Sequence, residues 1–277
     1  MKKQRCVYIT GGSSGIGHSL AKQYAYAGDN VVLIARDQAK LDAAVRDCKA
    51  CANNALQGIA GVSIDVSDID NLPTRVTAVI EEHGEPDILI LCAGIAGNKT
   101  FLQMSSSEFD TLIAVNFTAS REMARCILPA MLKKRRGKIV FMSSMSGLMG
   151  VYGYSGYCAS KYAITGFAQA LQQELYDTGV NAIIVCPTEV ATPMIAAETD
   201  TVLPQTRLLK DLAGTLPPDR AAGIIIKGID KNRDIVLTGF VPRLFDFSHR
   251  VFPGLFRTIT RLIIGYASRK PQDIKRV

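Results

Sequence analysis

Seven short apolar runs, separated by longer segments of helical period, constrain most strongly what this chain can fold into. The runs are rich in β-branched residues and apolar at successive positions, which is typical of strands buried on both faces. Helices that connect such strands enforce parallel pairing within one sheet. The sequence therefore predicts an α/β fold with a doubly wound, seven-stranded parallel sheet. The predicted strands are residues 6–9, 31–34, 61–64, 88–91, 139–142, 182–185 and 235–237.

The 277 residues are divided by no repeat and no Ser/Pro-rich linker. We expect a single domain over residues 1–240 and a helical extension over residues 241–277. The net charge of +7 lies almost wholly in the extension, because residues 1–242 carry 24 basic and 23 acidic side chains and residues 243–277 carry eight and two. A basic excess suits nucleic acid, anionic lipid or a phosphate-bearing ligand. Nucleic acid is disfavoured, because the main domain lacks a basic face, interleaved aromatic residues and a recognition motif.

The cysteines and the apolar segments predict a compartment. Seven cysteines, an odd number spread mostly through apolar segments, are typical of reduced thiols in a cytosolic protein. Cys48 and Cys51 form a CxxC pair in a predicted helix, but no second ligand pair accompanies them, so we expect no metal site. The sequence shows no secretory signal and no apolar run of membrane-spanning length. We expect a cytoplasmic protein, either soluble or peripheral at the cytosolic face of a membrane.

A glycine-rich turn follows the first predicted strand and precedes a helix. It reads Thr10-Gly11-Gly12-Ser13-Ser14-Gly15-Ile16-Gly17. Glycines let the backbone approach a pyrophosphate, and a helix N-terminus supplies free N–H groups and the positive end of a dipole. The turn therefore predicts a Rossmann-type dinucleotide site. The residues expected to bind the cofactor here are Gly11, Ser13, Ser14, Gly15, Ile16 and Gly17.

The end of the second predicted strand indicates which dinucleotide binds. An unphosphorylated ribose is bound by a carboxylate at this strand end, where the chain has Ala35 followed by Arg36. A guanidinium binds a 2′-phosphate, so Arg36 favours NADPH over NADH. In the alternative, Arg36 is a solvated turn residue and Asp37 binds the ribose.

Tyr157 and Lys161 lie four residues apart in a predicted helix that runs to about Tyr176. Side chains at this spacing share a helix face, so the ammonium is expected near the phenol. A free phenol has a pKa of ~10, and a preference of roughly 4 kcal/mol for the phenolate would bring that pKa to about 7. We expect Lys161 and an oxidised nicotinamide ring to supply this preference. Ser144, after the fifth strand, and Asn116, in a helix, should meet them at the carboxyl edge of the sheet.

The TGxxxGxG turn, together with Asn116, Ser144, Tyr157 and Lys161, resembles the short-chain dehydrogenase/reductase family over residues 5–240. The resemblance implies that Tyr157 is the general acid in carbonyl reduction and that Ser144 orients the carbonyl oxygen. It implies that Lys161 lowers the pKa of Tyr157 and holds the nicotinamide ribose. Asn116 would position a proton-relay water.

The same resemblance adds residues to the expected cofactor site. Asp65 and Val66 correspond to the adenine-contacting position, although Asp65 also suits a helix N-cap. Thr192 corresponds to the residue that contacts the nicotinamide carboxamide. The chain departs from the family at Cys92, where an asparagine is frequent. The residues added are Asp65, Val66, Ala93, Gly94, Pro187 and Thr192.

Several stretches narrow the resemblance to a subfamily that reduces the 3-keto group of 3-ketodihydrosphingosine with NADPH in sphingolipid synthesis. They are residues 139–144, Thr192-Pro193, residues 205–208 and residues 254–259. The implied activity is that of an NADPH-dependent oxidoreductase acting on a lipid-like carbonyl substrate. Alternatives in the family are a 3-oxoacyl-thioester reductase and a steroid or retinoid dehydrogenase. Outside the enzymes, the alternative is a protein that binds NADPH as a sensor without turnover.

The extension contains a basic amphipathic pattern that begins at Pro253. Arg257 and Arg261 lie off the apolar stripe, as in helices that lie in an anionic membrane interface. Three positions for this stripe stay open: a membrane contacted by residues 243–277, a partner subunit, or the protein's own sheet. The family resemblance also implies a homo-oligomer, a dimer or a tetramer, and residues 188–218 are expected to cover the substrate. The stripe consists of Leu255, Phe256, Ile259, Leu262 and Ile263.

Overall fold

A computed structural model describes residues 4–54, 56–198 and 201–269. Its strands and helices alternate through most of the chain. The strands are β1 Cys6–Thr10, β2 Asn30–Ala35, β3 Ile59–Ser63, β4 Ile88–Leu91, β5 Gly137–Met142, β6 Val180–Cys186, β7 Glu189–Val190, β8 Thr215–Leu216 and β9 Ile235–Leu237. The helices are α1 Gly15–Tyr26, α2 Gln38–Cys51, α3 Leu72–His83, α4 Ser106–Ile113, α5 Ala119–Lys133, α6 Ser155–Glu174, α7 Pro193–Glu198, α8 Pro204–Ala213, α9 Pro218–Asp230, α10 Phe240–Val251 and α11 Pro253–Arg269.

Seven strands form one parallel sheet in the order β3-β2-β1-β4-β5-β6-β9, which confirms the predicted architecture. The prediction of the third strand as residues 61–64 was displaced by two residues. Ile59 pairs with Val31, and the ladder ends where Ser63 meets Ala35. Small residues occupy much of this strand, so its pairing with β2 sets its start and local β-propensity does not.

Both faces of the sheet are buried, and each strand contributes to two layers. Tyr8 and Leu89 pack with residues of α3, α5 and α6 on one side. Val7 and Ile9 pack with residues of α1, α2 and α9 on the other. The continuous apolar runs in the sequence are explained by this double burial.

The order of winding reverses between β1 and β4, and this reversal locates the site. Strands β2 and β3 extend the sheet from one side of β1, and β4, β5 and β6 extend it from the other. Connections leave the carboxyl ends of β1 and β4 in opposite directions, which opens a crevice there. The glycine turn after β1 and the residues after β4 and β5 border this crevice.

The two helices after β9 pack against the 188–218 segment. The ring of Phe256 in α11 contacts Phe245 and His249 of α10 in edge-to-face geometry, with ring centroids 6.4 and 5.2 Å apart. Gln205 at the start of α8 donates a hydrogen bond of 3.0 Å to Ser268 of α11. Helix α11 therefore packs mainly on α8 and α10, so the alternative in which its stripe covers the sheet was wrong.

No helix in the part of the chain that the structure describes is long and apolar enough to cross a membrane. All seven cysteines are free thiols. The segment 188–218 is not a plain loop, because it contains α7, α8 and the small parallel pair β7 and β8. Lys270, Lys275 and Arg276, which contribute to the predicted charge of the extension, lie outside the described residues.

Candidate active site

A cavity of about 660 Å³ lies at the carboxyl edge of the sheet. Its walls come from the glycine turn, the ends of β4, β5 and β6, the start of α6, and parts of α7, α8, α10 and α11. Most of the residues predicted for the site line this one cavity. They are Gly11, Ser14, Gly15, Ile16, Gly17, Ala93, Gly94, Ser144, Tyr157, Lys161, Pro187 and Thr192.

Five predicted residues do not line this cavity. Ser13 lies in the turn itself, and Arg36 is exposed beyond β2. Asp65 lines a separate depression beside β3, and Val66 is buried next to it. Asn116 is fully buried behind the cavity wall. The predicted cofactor residues among these five therefore lie along the sheet edge but outside the main cavity.

The glycine turn has the close packing that a dinucleotide site needs. Gly11 has φ +66°, and a Cβ at this position would lie 2.9 Å from Ala93 Cα. A Cβ on Gly17 would lie 2.3 Å from the Gly11 carbonyl oxygen. The backbone is thus exposed at the start of α1, where the Ser14 side chain makes no capping hydrogen bond. N–H groups at this helix end are available to a pyrophosphate, so the residues present fit a nicotinamide dinucleotide.

Thr192 packs onto the same turn from the opposite wall. A Cβ on Gly15 would lie 3.0 Å from its Cγ2 atom. The segment after β6 therefore reaches over the glycine turn, as expected of a residue that contacts the nicotinamide end of a cofactor.

Arg36 and Asp37 differ in how they are engaged. Asp37 is the N-cap of α2, where its carboxylate accepts a hydrogen bond of 3.1 Å from Lys40 N and lies 3.3 Å from Lys40 Nζ. The hydrogen bond from the Lys40 backbone lowers the pKa of Asp37. The Arg36 side chain is exposed. Because the carboxylate already caps a helix, this geometry favours Arg36 over Asp37 as the group that meets the adenosine ribose.

Asp65 is not a helix N-cap, since α3 begins at Leu72 and its N-cap is Asn71. The Asp65 carboxylate instead accepts hydrogen bonds from Ser67 N at 2.9 Å and from Ser67 Oγ at 2.6 Å. These bonds lower its pKa. The helix-cap alternative was wrong, and the side chain closes a turn after β3.

Tyr157 and Lys161 lie on one face of α6 near the end of β5. The Lys161 ammonium donates a hydrogen bond of 2.9 Å to the Met142 carbonyl and lies 5.5 Å from the centroid of the Tyr157 ring. Ser144, which follows β5, is hydrogen-bonded to the phenol. Its Oγ also accepts a bond of 3.2 Å from Ser146 N. The predicted convergence of the three side chains is therefore present.

The lowering of the phenol's pKa by Lys161 together with an oxidised nicotinamide ring stays a prediction. Burial raises the pKa of Tyr157, and the hydrogen bond with Ser144 and the charge of Glu198 act in opposite directions on it. Burial also lowers the pKa of Lys161 to about 8. For each group, the cost of removing its charge from water is the largest influence on its pKa. The phenol therefore holds its proton firmly.

Asn116 lies in a π-helical turn, Ala114–Thr118, between α4 and α5. Its amide oxygen accepts a bond of 2.8 Å from Ile95 N, and its amide nitrogen donates to Ile95 O and to Ser160 Oγ at 3.0 and 2.9 Å. The Ser160 hydroxyl in turn donates a hydrogen bond of 2.8 Å to the Tyr157 carbonyl oxygen. Asn116 thus connects the segment after β4 to the catalytic helix, and a π-turn at such a place is frequent at functional sites.

Sequence reasoning missed a cluster of charged side chains on the far wall of the cavity. Its members were hard to identify because they lie up to 57 residues apart in the sequence, in a segment expected to be a polar cover. The charged residues in α7 and α8 were the sequence signal from which this cluster could have been predicted. The cluster consists of Tyr154, Glu189, Glu198, Arg207, Lys210 and Asp211.

The extension also contributes to the cavity, which the sequence pattern did not reveal. The sequence left the position of its stripe open between a membrane, a partner subunit and the protein's own sheet, and in the structure much of the stripe lines the cavity together with residues of α10. Leu262 is the exception and is 69% exposed. The residues of the two helices that line the cavity are Pro242, Leu244, Phe245, Ser248, Phe252, Leu255, Phe256, Ile259, Thr260 and Ile263.

Comparison with known proteins agrees with this geometry. A model of the short chain dehydrogenase family matches residues 5–202. The mouse protein 3-ketodihydrosphingosine reductase is 34% identical over 222 residues, covering 80% of this chain and 67% of its own. The Bos taurus protein of the same name is 33% identical over 275 residues, covering 94% and 83%. The solved short-chain dehydrogenase from Sphingobium yanoikuyae in complex with NADPH superposes with a TM-score of 0.72 at 24% identity, covering 98% of both chains. With its parallel sheet, glycine turn and Ser144, Tyr157 and Lys161 at one sheet edge, the chain belongs to the short-chain dehydrogenase/reductase family, as predicted.

Proposed function

We propose that the chain is an NADPH-dependent reductase of a long-chain 3-keto substrate, and that this substrate is 3-ketodihydrosphingosine. The observation that carries the proposal is the cavity, which places the neutral phenol of Tyr157 among mostly apolar walls. The mouse and Bos taurus relatives named for this activity support the choice of substrate.

The cofactor assignment rests on residues at separate places along the carboxyl edge of the sheet. The glycine turn and the N-terminus of α1 offer backbone N–H groups to the pyrophosphate. Arg36 offers a guanidinium to the 2′-phosphate that distinguishes NADPH from NADH. Thr192 and Lys161 would hold the nicotinamide end, with Lys161 bonding the ribose hydroxyls.

The reduction needs a hydride and a proton at one carbonyl group. NADPH supplies the hydride when it is bound. Tyr157 holds the proton, because burial keeps its phenol neutral, and donates it to the carbonyl oxygen. Ser144 orients that oxygen from its position beside the phenol. Asn116 acts as a positioning residue through Ile95 and Ser160, and the relay water assigned to it stays a prediction.

The apolar walls suit a hydrocarbon chain better than a short polar ketone. Met149, Val190 and Met194 contribute to one side, and Phe245 and Ile259 contribute from the extension. A 3-oxoacyl thioester and a steroid or retinoid would also meet apolar walls. A sensor that binds NADPH without turnover is less well supported, because binding alone does not need Tyr157 beside Ser144.

A substrate panel tests the proposal. Oxidation of NADPH is followed by absorbance with 3-ketodihydrosphingosine, an acetoacetyl thioester and retinal at equal concentrations. We expect the highest kcat/KM with 3-ketodihydrosphingosine. Equal or better turnover of the thioester or of retinal would contradict the substrate assignment, and no turnover of any carbonyl would favour the sensor.

The acid is tested by Tyr157→Phe. We expect turnover to fall by about a thousandfold or more, because general acid catalysis contributes on the order of 10²–10⁴. Binding of NADPH, followed by its fluorescence, should change little. Tyr162→Phe in the same helix is the matched control, since Tyr162 is 44% exposed. Substantial activity in Tyr157→Phe would refute the assignment.

Two further features of the whole chain belong to the proposal. We assign catalysis to a domain of residues 1–240 and completion of the substrate cavity to the extension of residues 241–277. We also propose a homo-oligomer, for which the exposed Phe101 and Leu102 offer apolar surface. Sedimentation equilibrium tests this, with a monomer at all concentrations as the contradicting result.

The extension is also proposed to contact an anionic membrane. Five arginines of the described extension are exposed, and Arg250 pairs with Asp246 at 2.8 Å. Phe247, Val251 and Leu262 are exposed apolar side chains of the same two helices. Exposed basic and apolar residues on the same two helices suit a peripheral position at the cytosolic face of a membrane that holds the substrate. The arginines are Arg243, Arg250, Arg257, Arg261 and Arg269.

A further inference from the structure

Largely buried charges line one part of the cavity. The carboxylate of Glu189 is only 5% exposed and that of Glu198 12%. Two cations, Arg207 and Lys210, enter the cluster from α8. Charges so far removed from water are stable only when they are paired or hydrogen-bonded. Each buried carboxylate oxygen of this cluster therefore needs a hydrogen-bond donor or a cation beside it.

Both oxygens of Glu189 have a charged neighbour, although only one of them accepts a hydrogen bond among the described residues. One of its oxygens accepts hydrogen bonds from Arg207 Nη2 at 3.0 Å and from Thr215 Oγ1 at 2.9 Å. The other lies 3.2 Å from Lys210 Nζ. The Arg207 guanidinium also donates a hydrogen bond to the Asp211 carboxylate. This half of the cluster is balanced within the protein, and it fixes the β7–β8 pair to α8.

Glu198 is only half engaged. Its Oε2 atom accepts a hydrogen bond of 2.9 Å from the Tyr154 hydroxyl and lies 3.6 Å from Lys210 Nζ. Its Oε1 atom is buried and has no hydrogen-bond partner among residues 4–54, 56–198 and 201–269. Lys210 is already occupied, because it donates to Tyr154 at 2.9 Å and pairs with Glu189. A buried carboxylate oxygen at a cavity wall thus lacks a donor.

The position of Glu198 relates this oxygen to the reacting carbonyl. Tyr154, which bonds Glu198, stacks edge-to-face on Tyr157 with ring centroids 5.7 Å apart. Glu198 and Tyr157 line the same cavity, and the Glu198 charge is close enough to act on the pKa of Tyr157. A substrate whose carbonyl oxygen meets Tyr157 has room in this cavity to place a carbon next to that carbonyl toward Glu198.

We propose that Glu198 is the specificity-determining residue that binds a substrate ammonium carried on the carbon next to the reacting carbonyl. The inference rests on the proposed function, since 3-ketodihydrosphingosine carries its amino group at that position. An ammonium supplies the missing donor to Oε1 and a positive charge to a cluster in which three carboxylates face two cations. Acyl thioesters, steroids and retinoids lack this group and leave the carboxylate unpaired, which the site disfavours.

The test compares 3-ketodihydrosphingosine with the analogue in which hydrogen replaces the 2-amino group. The wild-type protein should reduce the amino substrate with a kcat/KM higher by about tenfold or more, the size of a lost charged hydrogen bond. Glu198→Gln should lower kcat/KM for the amino substrate by about the same factor and leave the analogue nearly unchanged. Glu81→Gln, an exposed residue of α3, is the matched control and should behave as wild type.

The outcomes separate the inference from the function on which it rests. If the wild-type protein reduces both compounds equally, the ammonium site is refuted and the reductase activity stands. If Glu198→Gln loses both substrates equally while its melting temperature and NADPH affinity are unchanged, Glu198 has a general structural role and the inference is again refuted. Failure of the wild-type protein to reduce either compound would refute the proposed function itself. Should the variant not fold, the wild-type ratio decides.

Discussion

The ammonium of Lys161 and the phenol of Tyr157 share a site in which burial acts against both charged forms. Burial lowers the pKa of Lys161 to about 8 from its ordinary 10.5, and it raises the pKa of Tyr157. A neutral phenol is the form needed to donate a proton to a carbonyl oxygen. The same burial has a cost in stability, because an ammonium must be held in a largely dry position at neutral pH.

We predict that Lys161→Met stabilises the cofactor-free protein at pH 7 while abolishing reduction. The difference between 10.5 and about 8 corresponds to about 3 kcal/mol, less about 1 kcal/mol for the lost bond to Met142. Below pH 8 Lys161 is charged in both the folded and the unfolded state, so the full free-energy cost of burying its ammonium applies. Between pH 8 and 10.5 the unfolded chain binds more protons, so the wild-type protein recovers stability as the pH rises.

Urea unfolding at pH 7 and at pH 9.5 measures this difference. The advantage of Lys161→Met should be about 2 kcal/mol at pH 7 and smaller at pH 9.5. Lys227→Met serves as the control, since Lys227 is exposed. A Lys161→Met variant that is less stable than wild type at pH 7 would show that the ammonium is not held at a cost.

In the proposed cofactor site, the side chain of Arg36 decides the choice between NADPH and NADH. Arg36→Ala should reduce the preference for NADPH over NADH by roughly tenfold to a hundredfold, the range expected for a lost charged hydrogen bond. Arg46→Ala removes the same charge from an exposed position in α2 and should leave the preference intact. The ratio of kcat/KM values for the two cofactors is the measurement, and an unchanged ratio in Arg36→Ala would place the phosphate elsewhere.

Among the elements, α11 differs most from its sequence pattern. Its apolar stripe is divided between two surroundings, with Ile259 lining the cavity while still 47% exposed, and Leu262 outside the cavity and 69% exposed one turn later. The helix is positioned through α10 and α8, and not by the sheet. It therefore closes the cavity on a side that the parallel sheet leaves open.

Ile259→Asp and Leu262→Asp separate the two roles of this helix. We expect Ile259→Asp to lower kcat/KM for a detergent-solubilised long-chain substrate by about tenfold or more, because a carboxylate at an apolar wall must stay hydrated. Leu262→Asp should have little effect in that assay. Both variants should bind vesicles less well than wild type. Equal losses of kcat/KM in the two variants would argue against α11 as a cavity wall.

At the scale of the whole molecule, the charge is unevenly distributed. Residues 1–242 are nearly neutral, and the extension carries most of the net charge of +7. Since α10 and α11 border the cavity, a membrane bound to this extension would lie beside the cavity proposed for the lipid substrate. Binding of the membrane and access of the substrate would then use one surface.

Reversal of two charges tests this arrangement. Arg257→Glu combined with Arg261→Glu should weaken binding to phosphatidylserine vesicles by about thirtyfold or more, at about 1 kcal/mol for each basic residue near the surface. The combination of Lys227→Glu and Lys231→Glu changes the net charge equally on and after α9 and is the control. Flotation of the proteins with vesicles measures binding, and equal loss in both double variants would contradict a specific role for the extension.

Local patterns sufficed for much of the fold and for half of the site. All seven strands of the main sheet were predicted within two residues at each end, and only β3, with its small residues, was predicted too late at both ends. Tyr157 and Lys161 were identified because their spacing of four is a property of a helix alone. The partners of Asp37 and Asp65 could not be predicted in this way, since a short polar side chain after a strand suits a cap, a turn or a ligand equally well.

By itself the sequence determined the parallel sheet, the glycine turn and the catalytic pair, because each follows from periodicity or spacing within a few residues. Only the tertiary structure decided that burial raises the pKa of Tyr157, that the extension forms a cavity wall, and that one oxygen of Glu198 has no hydrogen-bond partner among the described residues. These properties depend on which distant segments exclude water from a group and which leave it without a partner. Burial and pairing of this kind exist only once the chain has folded.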